Sequence, residues 1–103
     1  MSQWNTSNVA TMNCMFWEAT SFNQSLNQWN TSRVINMGGL LSSAVAFNQP
    51  LDSWDTTMVT NMSSMFSSAK AFNQPLNNWN VSNVSRMDAM FAEAEAFNQP
   101  LDL

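Results

Sequence analysis

The sequence predicts an α/β solenoid. Four 25-residue units, each a strand, a turn, a short helix and a loop, stack so that equivalent strands form a parallel sheet. Three observations carry this prediction. Tryptophan recurs at 4, 29, 54 and 79, and Val9, Val34, Val59 and Val84 keep the same interval of 25. Between each Val and the next Ala the apolar residues fall at the spacing of one helix face. Each unit then closes on Phe-Asn-Gln, followed by Pro at 50, 75 and 100. That punctuation forbids one long helix or a coiled coil.

The third unit shows the elements in order. Val59, Met62, Met65, Phe66 and Ala69 mark the inner face of a helix of about three turns. Thr56 and Thr57 stand just before it, as Thr6 and Ser7 do in the first unit, and their hydroxyls suit an N-cap. After Ala69 the run Phe72-Asn73-Gln74-Pro75 ends the helix, because Pro biases the preceding residue towards extended backbone. Leu76-Asn77-Asn78-Trp79-Asn80 reads as a short strand, and stacked strands rise by about 4.8 Å per unit. The Leu and Trp slots lie three apart rather than two, so a bulge or a turn must intervene. A 25-residue unit is too short to fold alone and must bury its apolar column against neighbours. The chain is therefore one domain, 1–103, with units 1–25, 26–50, 51–75 and 76–100 and a partial fifth, 101–103.

Two repeated columns invite a functional reading. Asn23, Asn48, Asn73 and Asn98 each follow a core Phe. They form either a ligand-binding polar row or a structural ladder satisfying loop backbone groups, and the flanking aromatics favour the ladder. Nine Met invite a reading as a metal site or an adaptable surface. Seven of them, at 12, 15, 37, 62, 65, 87 and 90, fill the repeated core slots instead.

Composition excludes several chemistries. The chain is 45% hydrophobic but only 10% charged, and Ser, Thr, Asn and Gln together supply 42 residues. There is no His, hence no His-based triad or ligand. The single Cys, Cys14, makes neither an internal disulfide nor a Cys-rich zinc site; it reads as an inert small residue within the helix. Three basic residues against seven acidic ones do not neutralise a phosphate backbone, so no nucleic acid is expected. No run of 18 apolar residues exists, so no membrane insertion is expected. The acidic residues scatter without forming a close pair for acid–base work or a calcium loop. No catalytic residue, cofactor or metal is expected, and the chain reads as no enzyme.

The strings Trp54-Asp55-Thr56-Thr57-Met58-Val59-Thr60-Asn61-Met62-Ser63-Ser64-Met65-Phe66 and Ala71-Phe72-Asn73-Gln74-Pro75-Leu76-Asn77-Asn78-Trp79 resemble the 25-residue repeat of mycoplasma-type surface lipoproteins. That family is related to the BspA-like group of leucine-rich repeats, and the likeness covers the whole chain. It implies a leucine-rich-repeat-like solenoid displayed at the cell surface or outside the cell, with roles in adhesion or recognition and no catalytic residue. No signal or lipid-attachment segment stands in this chain. The second unit departs from the motif, with Met37-Gly38-Gly39-Leu40-Leu41. Paired Gly costs about 1 kcal/mol each in a helix, so this unit should be the soft one. Ser25 replaces the Pro, and Val81 replaces the capping Thr.

Function in repeat proteins often lies where the units differ. Trp17 stands where the others have Ser42, Ser67 and Ala92, and Met58 where they have Asn8, Arg33 and Asn83. Both are candidate partner-binding residues, although Trp17 equally suits a cover over the first unit's open end. The expected function is a non-enzymatic surface module for protein recognition or adhesion, its partner a protein or a host surface component. The alternative is a structural spacer that self-associates end to end through uncapped ends. Last comes an ice- or polysaccharide-binding face built on Thr6, Thr31, Thr56 and Ser7, Ser32, Thr57, Ser82.

Overall fold

The computed structural model describes residues 4–101. The chain does wind through stacked 25-residue circuits, here called rungs, the first ending at 25 and the next three spanning 26–50, 51–75 and 76–100. They are not built as the sequence suggested. Among the described residues there is no helix and no sheet. The α/β solenoid with a parallel sheet, and with it the leucine-rich-repeat-like architecture, is replaced by a stack of β-turns.

The second rung shows the construction. Backbone amides close turns from Leu26 to Trp29, Thr31 to Val34, Met37 to Leu40, Gly39 to Ser42, Leu41 to Ala44 and Ala44 to Phe47, at 3.0–3.2 Å. Each is an i→i+3 hydrogen bond, and the same six slots close in the third and fourth rungs. Turns of this kind return an apolar side chain to the inside every three residues, as a helix face does. The spacing therefore marks inward-facing positions without specifying the backbone that carries them. The presumed strand is also a turn, since Trp79 N donates to Leu76 O at 3.0 Å. That turn explains why Leu and Trp, three apart, both point inward.

Two physical facts exclude the helix. First, the third residues of the turns beginning at Met12, Met37, Met62 and Met87 are left-handed: Cys14, Gly39, Ser64 and Ala89 have φ of 56–63°. A second left-handed column follows at Glu18, Ser43, Ser68 and Glu93. A positive φ at the third turn position alone is the type II signature, and it stops an α-helix. Second, the rungs are too close. Phe22, Phe47, Phe72 and Phe97 stack at centroid distances of 5.8–6.1 Å, whereas packed helices need 8–10 Å.

The amides that a helix would use internally instead join rung to rung. Met12 N donates to Asn36 O, Cys14 N to Gly38 O, Phe16 N to Leu40 O and Glu18 N to Ser42 O, at 2.8–2.9 Å. The second rung repeats this towards the third, and the third towards the fourth. Extended pairing is confined to isolated parallel bridges, Thr11 to Asn36, Asn36 to Asn61 and Asn61 to Arg86.

Inside lie the Leu, Trp, Val, Met, Phe and Ala columns, wholly buried in the second and third rungs. Not all seven core-slot Met are covered: Met15 and Met87, in the outer rungs, are 43% and 37% exposed. The ground for expecting a soft second rung, paired Gly inside a helix, does not apply to this backbone. Met37, Leu40 and Leu41 have no exposed surface, and Gly39 supplies the residue that a positive φ favours. A Cβ there would lie 2.9 Å from Cys14 Sγ, so this slot faces its neighbour closely.

Candidate functional site

The repeated polar columns are used between rungs. Asn48 N donates to Asn23 Oδ1, Asn73 N to Asn48 Oδ1 and Asn98 N to Asn73 Oδ1, at 2.9–3.0 Å. Each acceptor also receives the side-chain amide of the next rung's Gln49, Gln74 or Gln99. One side-chain oxygen thus satisfies two donors of the following rung, and the column runs along the rim beside the Phe stack.

The threonines serve the same purpose, not as helix caps. Thr6 Oγ1 accepts from Asn30 N at 3.0 Å and donates to Asn30 O at 3.1 Å. Thr31 donates to Asp55 O and Thr56 to Asn80 O. All three are buried, so this column presents no hydroxyl face to ice or polysaccharide. Val81 keeps the turn, with Val84 N on Val81 O at 3.0 Å, and gives up only the hydroxyl. No buried side-chain N or O among the described residues lacks a partner.

The two candidate partner-binding residues are apolar. Trp17 is 57% exposed on the first rung and Met58 47% exposed on the third. They occupy different turns two rungs apart, so they do not form one site. In the Met58 slot the second rung uses Arg33 Nη1 to reach Asn8 Oδ1, and the fourth uses Asn83 Nδ2 to reach Thr57 O. Met58 exchanges such a link for exposed hydrocarbon. Ile35 is also exposed, and sequence reasoning missed it. Its slot otherwise holds Ala10, Thr60 and Ser85, so the one large apolar residue in a small-residue column was the available signal. Ile35 and Met58 flank the inward Val column from outside, on neighbouring rungs.

Charged groups are sparse and peripheral. Lys70 pairs with Glu95 and Arg86 with Asp88, both at 3.4 Å and largely exposed, geometry worth little in stability. Asp55 accepts from Thr57 N at 3.0 Å, and its hydrogen bonds from Thr57 hold its carboxyl below the usual value. Cys14 is exposed, within a turn and not a helix. Among the described residues no group of three His, Cys, Asp or Glu is placed to hold a metal ion. No helix among them is long and apolar enough to cross a membrane.

No curated protein and no solved structure matches the chain. A family model does match, over residues 1–103. The relationship to BspA-like leucine-rich repeats, which the resemblance implied, gains no support from the structure, which has no helix or sheet among the described residues. With its whole length covered, the chain belongs to the family described as Mycoplasma protein of unknown function, DUF285.

Proposed function

We propose that this chain is a non-enzymatic repeat module that recognises a protein or host component at a cell surface. One observation carries the reading. Large apolar side chains stand exposed where the repeat is broken, at Trp17 and Met58, while the regular polar columns are occupied within the stack. Trp is enriched among interface anchors, and the flexible Met side chain adapts to an irregular partner surface.

Adhesion of beads carrying the chain to cultured cells tests this. Trp17→Ser and Met58→Asn replace each residue with one that another rung already holds, so both should keep the melting temperature. The expected result is adhesion above bare beads, reduced about tenfold by the variant that removes the anchor, a loss of about 1.4 kcal/mol. Equal adhesion by the parent and both variants would sink the reading.

A further inference from the structure

Six tripeptides of the chain read Asn-x-Ser with no Pro between, at Asn5, Asn23, Asn30, Asn61, Asn80 and Asn83. The fold sorts them into two groups. Asn5 Oδ1 accepts from Ser7 N at 3.1 Å and from Ser7 Oγ at 2.7 Å. Asn30 Oδ1 accepts from Ser32 N at 3.0 Å and from Ser32 Oγ at 2.7 Å. Asn80 Oδ1 accepts from Ser82 N at 3.0 Å. A backbone N–H only donates, so the atom facing it is the amide oxygen and Nδ2 is turned away from the turn. All three Asn are exposed, and their Nδ2 groups have no hydrogen-bond partner among the described residues.

The other three are used within the stack. Asn83 Nδ2 donates to Thr57 O at 2.7 Å, and Ser85 Oγ donates to Thr60 O at 3.2 Å. Asn61 Nδ2 lies against the second rung, 3.0 Å from where a Cβ on Gly38 would stand. Asn23 Oδ1 is held by Asn48 N and Gln49 Nε2 of the second rung and not by Ser25.

We propose that Asn5, Asn30 and Asn80 are acceptor sites for an N-linked glycan, delivered by a transferase from an oligosaccharide carried on a polyprenyl diphosphate. A hydroxyl donating to Oδ1 draws charge towards the oxygen and makes Nδ2–H easier to deprotonate. In the transfer Nδ2 bonds to the anomeric carbon of the sugar. The bond from that carbon to the diphosphate oxygen breaks, and the diphosphate leaves with the electron pair. One Nδ2 proton passes to a base of the transferase. The reaction consumes a group that the stack does not use and spares Oδ1, which holds the turn. The third rung takes no sugar in this column, because Asp55 has no amide nitrogen; it is also the rung that exposes Met58. In the cell the reaction needs an exported chain, as the proposed surface role does, but the acceptor geometry is tested on the folded protein and is independent of adhesion.

The test incubates the folded full chain with a polyprenyl-diphosphate oligosaccharide and a purified oligosaccharyltransferase chosen because it modifies short peptides around all six motifs. Mass spectrometry reads each site. Transfer to Asn30 and Asn80 should be at least about tenfold faster than to Asn61 or Asn83, which must first open locally. The modified chain should keep its melting temperature. Ser7→Ala, Ser32→Ala and Ser82→Ala together should abolish the fast transfer. Adding Asp55→Asn to them writes Asn-Thr-Thr into the third rung and should restore it there. Modification of Asn61 and Asn83 as fast as Asn30 overturns the proposal, and so does a folded parent that takes no sugar at Asn5, Asn30 or Asn80. Should the combined variants fail to melt cooperatively, the site-by-site rates in the parent decide alone.

Discussion

The inner and outer rungs hold the same or similar residues in most apolar slots and have different fates. Met65 has no exposed surface, whereas Met15 in the same slot is 43% exposed; Trp54 is 3% exposed and Trp4 55%. The difference is the number of neighbours: a rung with one on each side is a core, and a rung with one neighbour is half a core. Stability in such a stack is a sum of neighbour terms and does not reside in the repeat itself. The sharpest way to break the comparison is a matched pair of truncations. Met65→Ala should cost about 2–5 kcal/mol, and Met15→Ala about 1 kcal/mol, read from denaturant unfolding of dilute protein. Equal costs would mean that Met15 is covered in solution.

Gly39 sharpens the comparison from the backbone side. In a helix, Gly39→Ala would stabilise the second rung by about 1 kcal/mol. In the turn stack Gly39 has φ 63°, and its Cβ would press on Cys14 Sγ at 2.9 Å. The substitution should therefore destabilise by about 1–2 kcal/mol. The sign alone separates the two architectures, and the melting temperature reads it. The same slot holds Cys14, Ser64 and Ala89 at φ 56–57°, so a Cβ is tolerated there in other rungs, and the local cost at Gly39 is the approach to Cys14 Sγ.

The inward slots were legible in the sequence because burial depends only on which residues recur. Val34, Met37, Leu40, Leu41, Ala44 and Phe47 follow from the interval and all lie in the core. The backbone was not legible, because i→i+3 turns and a helix share one apolar spacing. What separates them is a hydrogen bond from residue i to residue i+24, such as Met12 N to Asn36 O, and no local pattern encodes a partner that far away. The left-handed slots gave little help, since only one of the first column, Gly39, is a glycine. Of the candidate binding residues, Trp17 and Met58 were visible as departures from their columns. Ile35 departs from its column of Ala10, Thr60 and Ser85 in the same way.

Asp55 offers the smallest and most local test. Asn5, Asn30 and Asn80 hold the equivalent slot, and each side-chain oxygen accepts an amide two residues on, at 3.0–3.1 Å. Asp55 does the same to Thr57 N at 3.0 Å, but with a charge whose hydrogen bonds from Thr57 lower its pKa. A carboxyl with a depressed folded pKa contributes stability above its unfolded value of about 3.9, and loses it as pH falls through the folded value. The Asn rungs have no such dependence. Asp55→Asn should therefore be slightly less stable than the parent near pH 7, and the difference should vanish by about pH 2.5. The side chain is exposed, so added salt should shrink the neutral-pH difference as well. Calorimetric melting of both proteins at the two pH values measures it. A gap that persists in acid would mean that the third rung depends on the shape of the aspartate and not on its charge, leaving it no different from its three neighbours.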